Sequence, residues 1–105
     1  MSKAASRCQN RLTIVGRRVD IAEFEQQDKR WPNRLHVRFL EMFEGSATRQ
    51  VWLFETNGPP LSHLKRLSAR WPRLTFLLDY DQEPLRAKGL VKTRAGHQRS
   101  VEFRY

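Results

Sequence analysis

Three carboxylates alternate near the end of a predicted strand, at Asp79, Asp81 and Glu83. Alternate residues of a strand share one face, and clustered carboxylate oxygens are the ligands that Mg²⁺ prefers. This spacing raises a metal-dependent nuclease as a candidate function, in which the bound ion would activate water. Because Glu83-Pro84 is typical of a solvated turn, we predict neither a metal site nor any other cofactor, and the nuclease ranks third among the candidate functions.

The other residues that could do chemistry are scattered. The three histidines are His36, His63 and His97, and none of their spacings suits a metal ion. His97 could act as a general acid in a basic turn, but no second base accompanies it. Cys8 lies between Arg7 and Arg11, whose charge would favour a thiolate, whereas burial as a small apolar residue is the alternative. We predict no catalytic residue.

The positive charge is concentrated at the two ends of the chain. Residues 1–19, including Lys3, carry +5, residues 86–105 carry +5, and the segment between them carries −1, out of a net charge of +9. Clustered Lys and Arg neutralise phosphates and release counterions, which favours DNA or RNA as the partner. A solvated face or a generic acidic partner is the alternative. The predicted nucleic-acid-binding residues are Arg7, Arg11, Arg17, Arg18, Arg86, Lys88, Lys92, Arg94, Arg99 and Arg104.

Aromatic residues could add base stacking to these phosphate contacts. Trp52 and Phe54 share one face of a predicted strand, as the stacking aromatics of RNA-recognition domains do. The glycine and flanking aromatics of that module's motif are missing around them. Packing in the core against the helices is the other interpretation of this pair.

Hydrophobic periodicity places these residues on seven elements. Alternation predicts strands over residues 11–15, 35–43, 50–56 and 74–80. Asp20 and Glu23 have the spacing of a capping box and begin a short helix that ends before Trp31-Pro32. Leu61, Leu64, Leu67 and Trp71 recur at helical spacing and predict a second helix with a core face. Residues 85–93 and 100–105 form the arms of a basic hairpin around a turn at 95–97.

The first six elements follow the order β-α-β-β-α-β. This order predicts an α+β, ferredoxin-like βαββαβ two-layer sandwich, in which two helices cover one face of an antiparallel sheet. The basic hairpin would be an addition at the C-terminal end. A length of 105 residues suits a single domain over 1–105, with its core at about 8–82 and the hairpin at about 85–105.

Two blocks of sequence resemble a known family. Cys8-Gln9-Asn10-Arg11-Leu12-Thr13-Ile14-Val15-Gly16 is similar to the C-x-N-x-L-x-I-x-G opening of the YubB-type ferredoxin-like domain, which occurs in small proteins of plasmids, phages and integrated elements. Phe54-Glu55-Thr56 with Pro59-Pro60 resembles its F-x-T…P-P element, and residues 67–80 resemble the run that follows. Arg7 and Asn57-Gly58 depart from the aromatics usual there. The resemblance implies the fold and a mobile-element origin, and it implies no reaction.

These features together predict a non-catalytic protein that binds nucleic acid mainly through the phosphate backbone. The alternative is a small protein-interaction module or inhibitor of a host factor, which would add a strand of its partner to an exposed sheet edge. Residues 1–8 lack an apolar run, and no segment has the length of a membrane span, so we expect neither a signal peptide nor a membrane partner. A single cysteine excludes a disulfide framework and suits a reducing, cytoplasmic setting. We further expect the two basic ends to form one surface.

Overall fold

Alternating burial along eight-residue strands shows how this sequence builds its sheet. The computed structural model describes residues 7–28, 30–31 and 37–105. The strands are β1 (Cys8–Val15), β2 (Arg38–Gly45), β3 (Arg49–Thr56), β4 (Thr75–Gln82), β5 (Ala87–Arg94) and β6 (His97–Arg104). The helices are α1 (Arg18–Gln27) and α2 (Leu61–Arg70), and a single 3₁₀ turn, Glu83–Leu85, links β4 to β5.

All six strands belong to one antiparallel sheet, in the order β2-β3-β1-β4-β5-β6. β1 lies between β3 and β4 and pairs with β3 along its whole length, from Cys8 opposite Thr56 to Val15 opposite Arg49. β5 pairs with β4 in an unbroken register from Thr75 opposite Arg94 to Gln82 opposite Ala87. The sheet is therefore continuous from one edge strand, β2, to the other, β6.

This continuity overturns the predicted architecture. The ferredoxin-like βαββαβ sandwich with an added hairpin is wrong, because the protein has one six-stranded sheet in an α+β structure. The C-terminal strands are part of its framework. Ala87, Val91 and Thr93 of β5 are buried on the helix side of the sheet. The amide of Gly96 donates to Ser68 Oγ of α2 at 3.0 Å, and Gln98 Nε2 donates to the carbonyl of Leu61 at 2.9 Å.

Both helices cover the same face of the sheet, and the core lies between them and the strands. Leu12 and Ile14 of β1 and Phe76 of β4 are fully buried there beside Phe24 of α1 and Leu64 of α2. The rings of Phe24 and Trp71 meet edge to face at 5.5 Å, and those of Trp31 and Trp52 at 5.7 Å. Burial of these large side chains supplies most of the driving force for folding. None of the described helices is long and apolar enough to cross a membrane.

Two local predictions are also wrong. Asp20 is not the cap of α1, because the helix begins at Arg18 and the Arg17 side chain donates to the Asp20 carboxylate at 2.8 Å. A carboxylate in the first turn is stabilised by the helix dipole without capping it. β2 does not alternate simply, since its pairing with β3 shifts register twice and Phe39 has a φ of 55°. The predicted start of that strand, Leu35, and also His36, Pro32 and Lys3 lie outside the described residues.

Gly89 occupies the middle of β5 because the ring of Tyr80 lies over it. The two residues are opposite each other across β4 and β5, and a Cβ at Gly89 would overlap that ring. Tyr80 in turn donates its hydroxyl to Glu102 of β6 at 2.5 Å. The glycine therefore lets one aromatic side chain span three strands.

We expect Gly89→Ala to lower the free energy of unfolding by about 2 kcal/mol, because the new methyl group displaces the Tyr80 ring in a packed core. Gly58→Ala is the matched control, since a Cβ at Gly58 meets only the Gln82 side-chain nitrogen, at 3.9 Å. Urea unfolding of both variants measures the difference. Equal stability of the two variants would contradict this account of Gly89.

Candidate nucleic-acid interface

No helix or second sheet of the described chain covers the face of the sheet opposite the helices, and we call this face the open face. Strand alternation places every second residue of β1, β4, β5 and β6 on it. Its members on these strands are Gln9, Arg11, Thr13, Val15, Thr75, Leu77, Asp79, Asp81, Lys88, Leu90, Lys92, Arg94, His97, Arg99, Val101 and Phe103. Five of these are Lys or Arg and two are Asp, so this part of the open face is positively charged.

The pairing registers align these side chains in rows across the strands. One row is Thr13–Leu77–Lys92–Arg99, and the neighbouring row is Arg11–Asp79–Leu90–Val101. The two rows line a depression of about 820 Å³, which we call the basic trough. Its apolar side chains stay accessible, with 39% of Leu77, 54% of Leu90 and 56% of Val101 exposed. Cationic and apolar groups thus lie side by side in one concave surface.

The charges of the open face are balanced at one end and unbalanced at the other. On β2 and β3, Arg38 pairs with Glu55 at 3.5 Å and Arg49 with Glu44 at 3.8 Å. The trough is less balanced, because Asp79, opposite Arg11, is the only carboxylate among its described lining residues, whereas Lys92 and Arg99 are opposite each other on β5 and β6. No carboxylate of the described chain lies within ion-pair distance of either side chain. Like charges directly opposite destabilise a strand pair, so this arrangement lowers stability locally.

An aromatic end adjoins the trough where β6 finishes. Phe103 is two residues beyond Val101 on the same face and is 55% exposed. Tyr105 donates its hydroxyl to Asp81 Oδ1 at 2.7 Å, which raises the pKa of that hydroxyl. Arg86 and Lys88 place their charged groups over the Tyr105 ring at 5.5 and 5.8 Å. The aromatic side chain of Phe103 thus adjoins the trough on the side away from Lys92.

The structure brings some of the predicted binding residues together and separates others. Those on the open face are Arg11, Lys88, Lys92, Arg94 and Arg99, with Arg94 also donating to Thr75 Oγ1 at 3.1 Å. Arg7, just before β1, is 3.9 Å from Glu55 of the open face. Those elsewhere are Arg17 and Arg18 at the start of α1, Arg86 in a left-handed turn before β5, and Arg104. Arg104 lies on the helix side and pairs with Glu102 at 3.3 Å. The two basic ends therefore form one surface only in part. The first end contributes to the open face at β1 and just before it, and the second end contributes from β5 and β6.

The predicted stacking aromatics belong to the core. Phe54 is buried, and Trp52 packs partly buried against the same cluster with its Nε1 donating to Gln50 Oε1 at 3.0 Å. The core-packing interpretation of this pair is the one that holds. The predicted binding site did not include Phe103, Tyr105 or the apolar side chains of the trough. Arg99, Val101 and Phe103 alternate along one strand, which indicates that they share a face. The sequence of one hairpin does not show which of its two faces the helices cover.

The described carboxylates and histidines do not gather into one cluster. Asp79 and Asp81 lie on the open face of β4, whereas Glu83 is in the following turn. Within the described chain, no three His, Cys, Asp or Glu side chains are placed to hold a metal ion. His63 lies on α2, 3.3 Å from an Arg66 nitrogen, and His97 begins β6. The geometry needed for metal-dependent cleavage is therefore not assembled from the described residues.

Cys8 and Asn10 serve packing and not chemistry. Cys8 is fully buried, which raises the pKa of its thiol to about 11 because burial disfavours the thiolate. Asn10 is buried beside it and donates from Nδ2 to Thr56 Oγ1 at 2.9 Å. The basic neighbours of Cys8 along the chain do not activate it, since their side chains are exposed on the other side of the strand.

Comparison of the chain with protein-family models, with curated proteins and with solved structures finds no match.

We expect the Cys8 thiol to react slowly with a disulfide reagent at about pH 8 in the native protein and rapidly in urea. It is the only cysteine, so the signal is unambiguous. The folded pKa is raised, so the associated stabilisation is present below pH 9 and is lost as the pH rises towards about 11. Between pH 9 and about 11, the free energy of unfolding should therefore fall less in Cys8→Ala than in the wild type. Equal native and denatured reactivity would show that the thiol is accessible.

Proposed function

We propose that this protein binds nucleic acid without catalysis, mainly through contacts to the phosphate backbone in the basic trough. The observation that carries the proposal is the Lys92–Arg99 pair, two opposed cations without a carboxylate partner in the described chain. Such a pair costs stability in the free protein. A phosphate placed between them would turn this repulsion into two charge-assisted contacts and would release counterions from the nucleic acid.

The surrounding charges support a polyanion over a small anion. Arg94 extends the positive surface towards the turn between β5 and β6. Arg11 and Lys88 add further cations to the open face, although each is opposite an aspartate, Asp79 and Asp81 respectively. These cations follow strands that are about 4.8 Å apart, so they form an extended surface. A net charge of +9 also favours rapid, salt-sensitive association with DNA or RNA.

The resemblance to the YubB-type family adds a biological setting to this proposal. The motif residues Cys8, Leu12 and Ile14 are buried, and Gly16 packs against Leu74, where a Cβ would overlap it. A shared packing motif of this kind is consistent with common ancestry and carries no information on chemistry. We propose an origin in a plasmid, phage or integrated element and a cytoplasmic location, where the single thiol would remain reduced.

The second candidate function, a protein-interaction module, is favoured by the other edge of the sheet. All eight residues of β2 are exposed, and four of them are large and apolar: Phe39, Leu40, Met42 and Phe43. An exposed edge strand can accept a strand from a partner. The two register shifts in its pairing with β3 make β2 an irregular template, which weakens this alternative.

We expect the double variant Lys92→Gln/Arg99→Gln to bind oligonucleotides about tenfold more weakly at moderate salt. The slope of log K against log salt should fall by about 1.5, because two phosphate contacts are lost. Fluorescence anisotropy with a labelled oligonucleotide, offered as a single strand and as a duplex, measures both quantities. The free energy of unfolding should not fall, since a repulsive pair is removed.

Lys65→Gln/Arg66→Gln is the matched control, because it removes the same two residue types from the exposed surface of α2 on the opposite side of the sheet. Its affinity should change by less than about twofold, since charges farther away than about 10 Å are screened at this salt. An equal loss of affinity in the two double variants would show that the lower net charge, and not the loss of the Lys92–Arg99 site, causes the effect. Absence of binding by the wild-type protein would refute the proposed function.

A further inference from the structure

Phosphate contacts would account for the cations of the basic trough but not for its exposed apolar side chains. Leu77, Leu90 and Val101 lie among its cations and remain 39%, 54% and 56% exposed, and Phe103 continues this apolar surface at 55% exposure. Contiguous exposed apolar side chains on one face mark a contact surface for a ligand. A ligand of this trough must therefore present anionic and apolar or aromatic groups within a few ångströms of each other.

The rows of the sheet fix how close those groups must be. Lys92 and Arg99 occupy one row, and Leu90 and Val101 occupy the next, two residues along the strands. Rows of this kind are separated by about 7 Å, because each strand residue advances by about 3.4 Å. Phe103 and Lys88 form the following row. Along β5 and β6, a cationic row is thus followed by an apolar row and then by a row with one aromatic and one cationic side chain.

A single-stranded nucleic acid matches this order, whereas a duplex does not. Unpaired bases expose their π-faces beside the phosphates, and such bases stack on aromatic and apolar side chains. A duplex buries those faces within its own stack and presents phosphates and polar groove edges. The duplex would satisfy Lys92 and Arg99 but would leave Leu90, Val101 and Phe103 without a matching partner.

Phe103 is the ring best placed for stacking. Tyr105 is held by its hydrogen bond to Asp81, and Arg86 and Lys88 already lie over its ring. No cation lies over the ring of Phe103 in the described part of the chain. The row of Lys92 and Arg99 lies two rows from Phe103, about 14 Å away, so the phosphates that contact it would belong to other nucleotides of the same strand.

We infer that the basic trough and the adjoining Phe103 bind single-stranded nucleic acid in preference to duplex, with bases on Leu90, Val101 and Phe103 and phosphates on Lys92 and Arg99. The inference rests on the proposed function and adds to it the state of the nucleic acid. Bases and phosphates are common to single-stranded DNA and RNA, so the trough recognises chemistry that both share.

The test compares Phe103→Ala with the wild type on short oligonucleotides of mixed sequence, as single-stranded DNA, single-stranded RNA and duplex DNA. We expect the wild type to bind at least one single strand about tenfold more tightly than the duplex. Phe103→Ala should lose about tenfold in single-strand affinity and retain its duplex affinity, because only the stacking contact is removed. Leu90→Thr, which keeps a strand-forming residue in the trough, should weaken single-strand binding in the same selective way.

Phe39→Ala is the matched control, because it removes the same side chain from the opposite edge strand, where Phe39 is 79% exposed. It should leave all affinities unchanged. Equal or tighter duplex binding, or unchanged single-strand affinity in Phe103→Ala and Leu90→Thr, would overturn the inference and leave the proposed function intact. Polyglutamate that binds as tightly as the single strand would also overturn it, since bases would then be dispensable. Failure of every oligonucleotide to bind would refute both.

Discussion

Two ten-residue helices packed on one face of a six-stranded sheet are the constraint on which the rest of this structure depends. The apolar side chains of alternate strand residues face the helices, and the rings of Phe24, Trp31 and Phe76 fill the space between the layers. No second layer of the described chain covers the opposite face. On that face, packing therefore constrains the largely exposed side chains of β5 and β6 much less than it constrains the core.

Charge is distributed unevenly over that uncovered face, and the distribution separates two kinds of surface. Around β2 and β3, arginine side chains are matched by glutamates, as Arg38 is by Glu55. Such exposed pairs contribute little to stability, but they keep that region nearly neutral. On β5 and β6, Lys92 and Arg99 lack this compensation within the described chain. A repulsive pair of this kind lowers stability as long as no anion lies between its members.

Local pattern was a good guide to individual elements and a poor guide to their assembly. Alternation located the strands that contain Leu12, Trp52 and Phe76, and helical spacing located α2. The predicted architecture is wrong because it makes β5 and β6 an addition to the domain, whereas Val91 and Thr93 of β5 are buried on the helix side of the sheet. Which face of a hairpin is buried depends on contacts with α2 that are distant in sequence. For this reason the basic residues of the site could be anticipated, whereas its apolar and aromatic members could not.

The central position of the first strand also governs how the chain reaches its native state. β1 completes its ladders only when Arg49–Thr56 and Thr75–Gln82 are available on either side. Pairings so distant in sequence are slow to form, because the loops that connect them must close first. β5 and β6, in contrast, are joined by a two-residue turn in which Ala95 and Gly96 both have positive φ, and they can associate within microseconds. During synthesis on the ribosome, which proceeds at about 5–20 residues per second, β1 would remain unpaired for several seconds until its partner strands had been made.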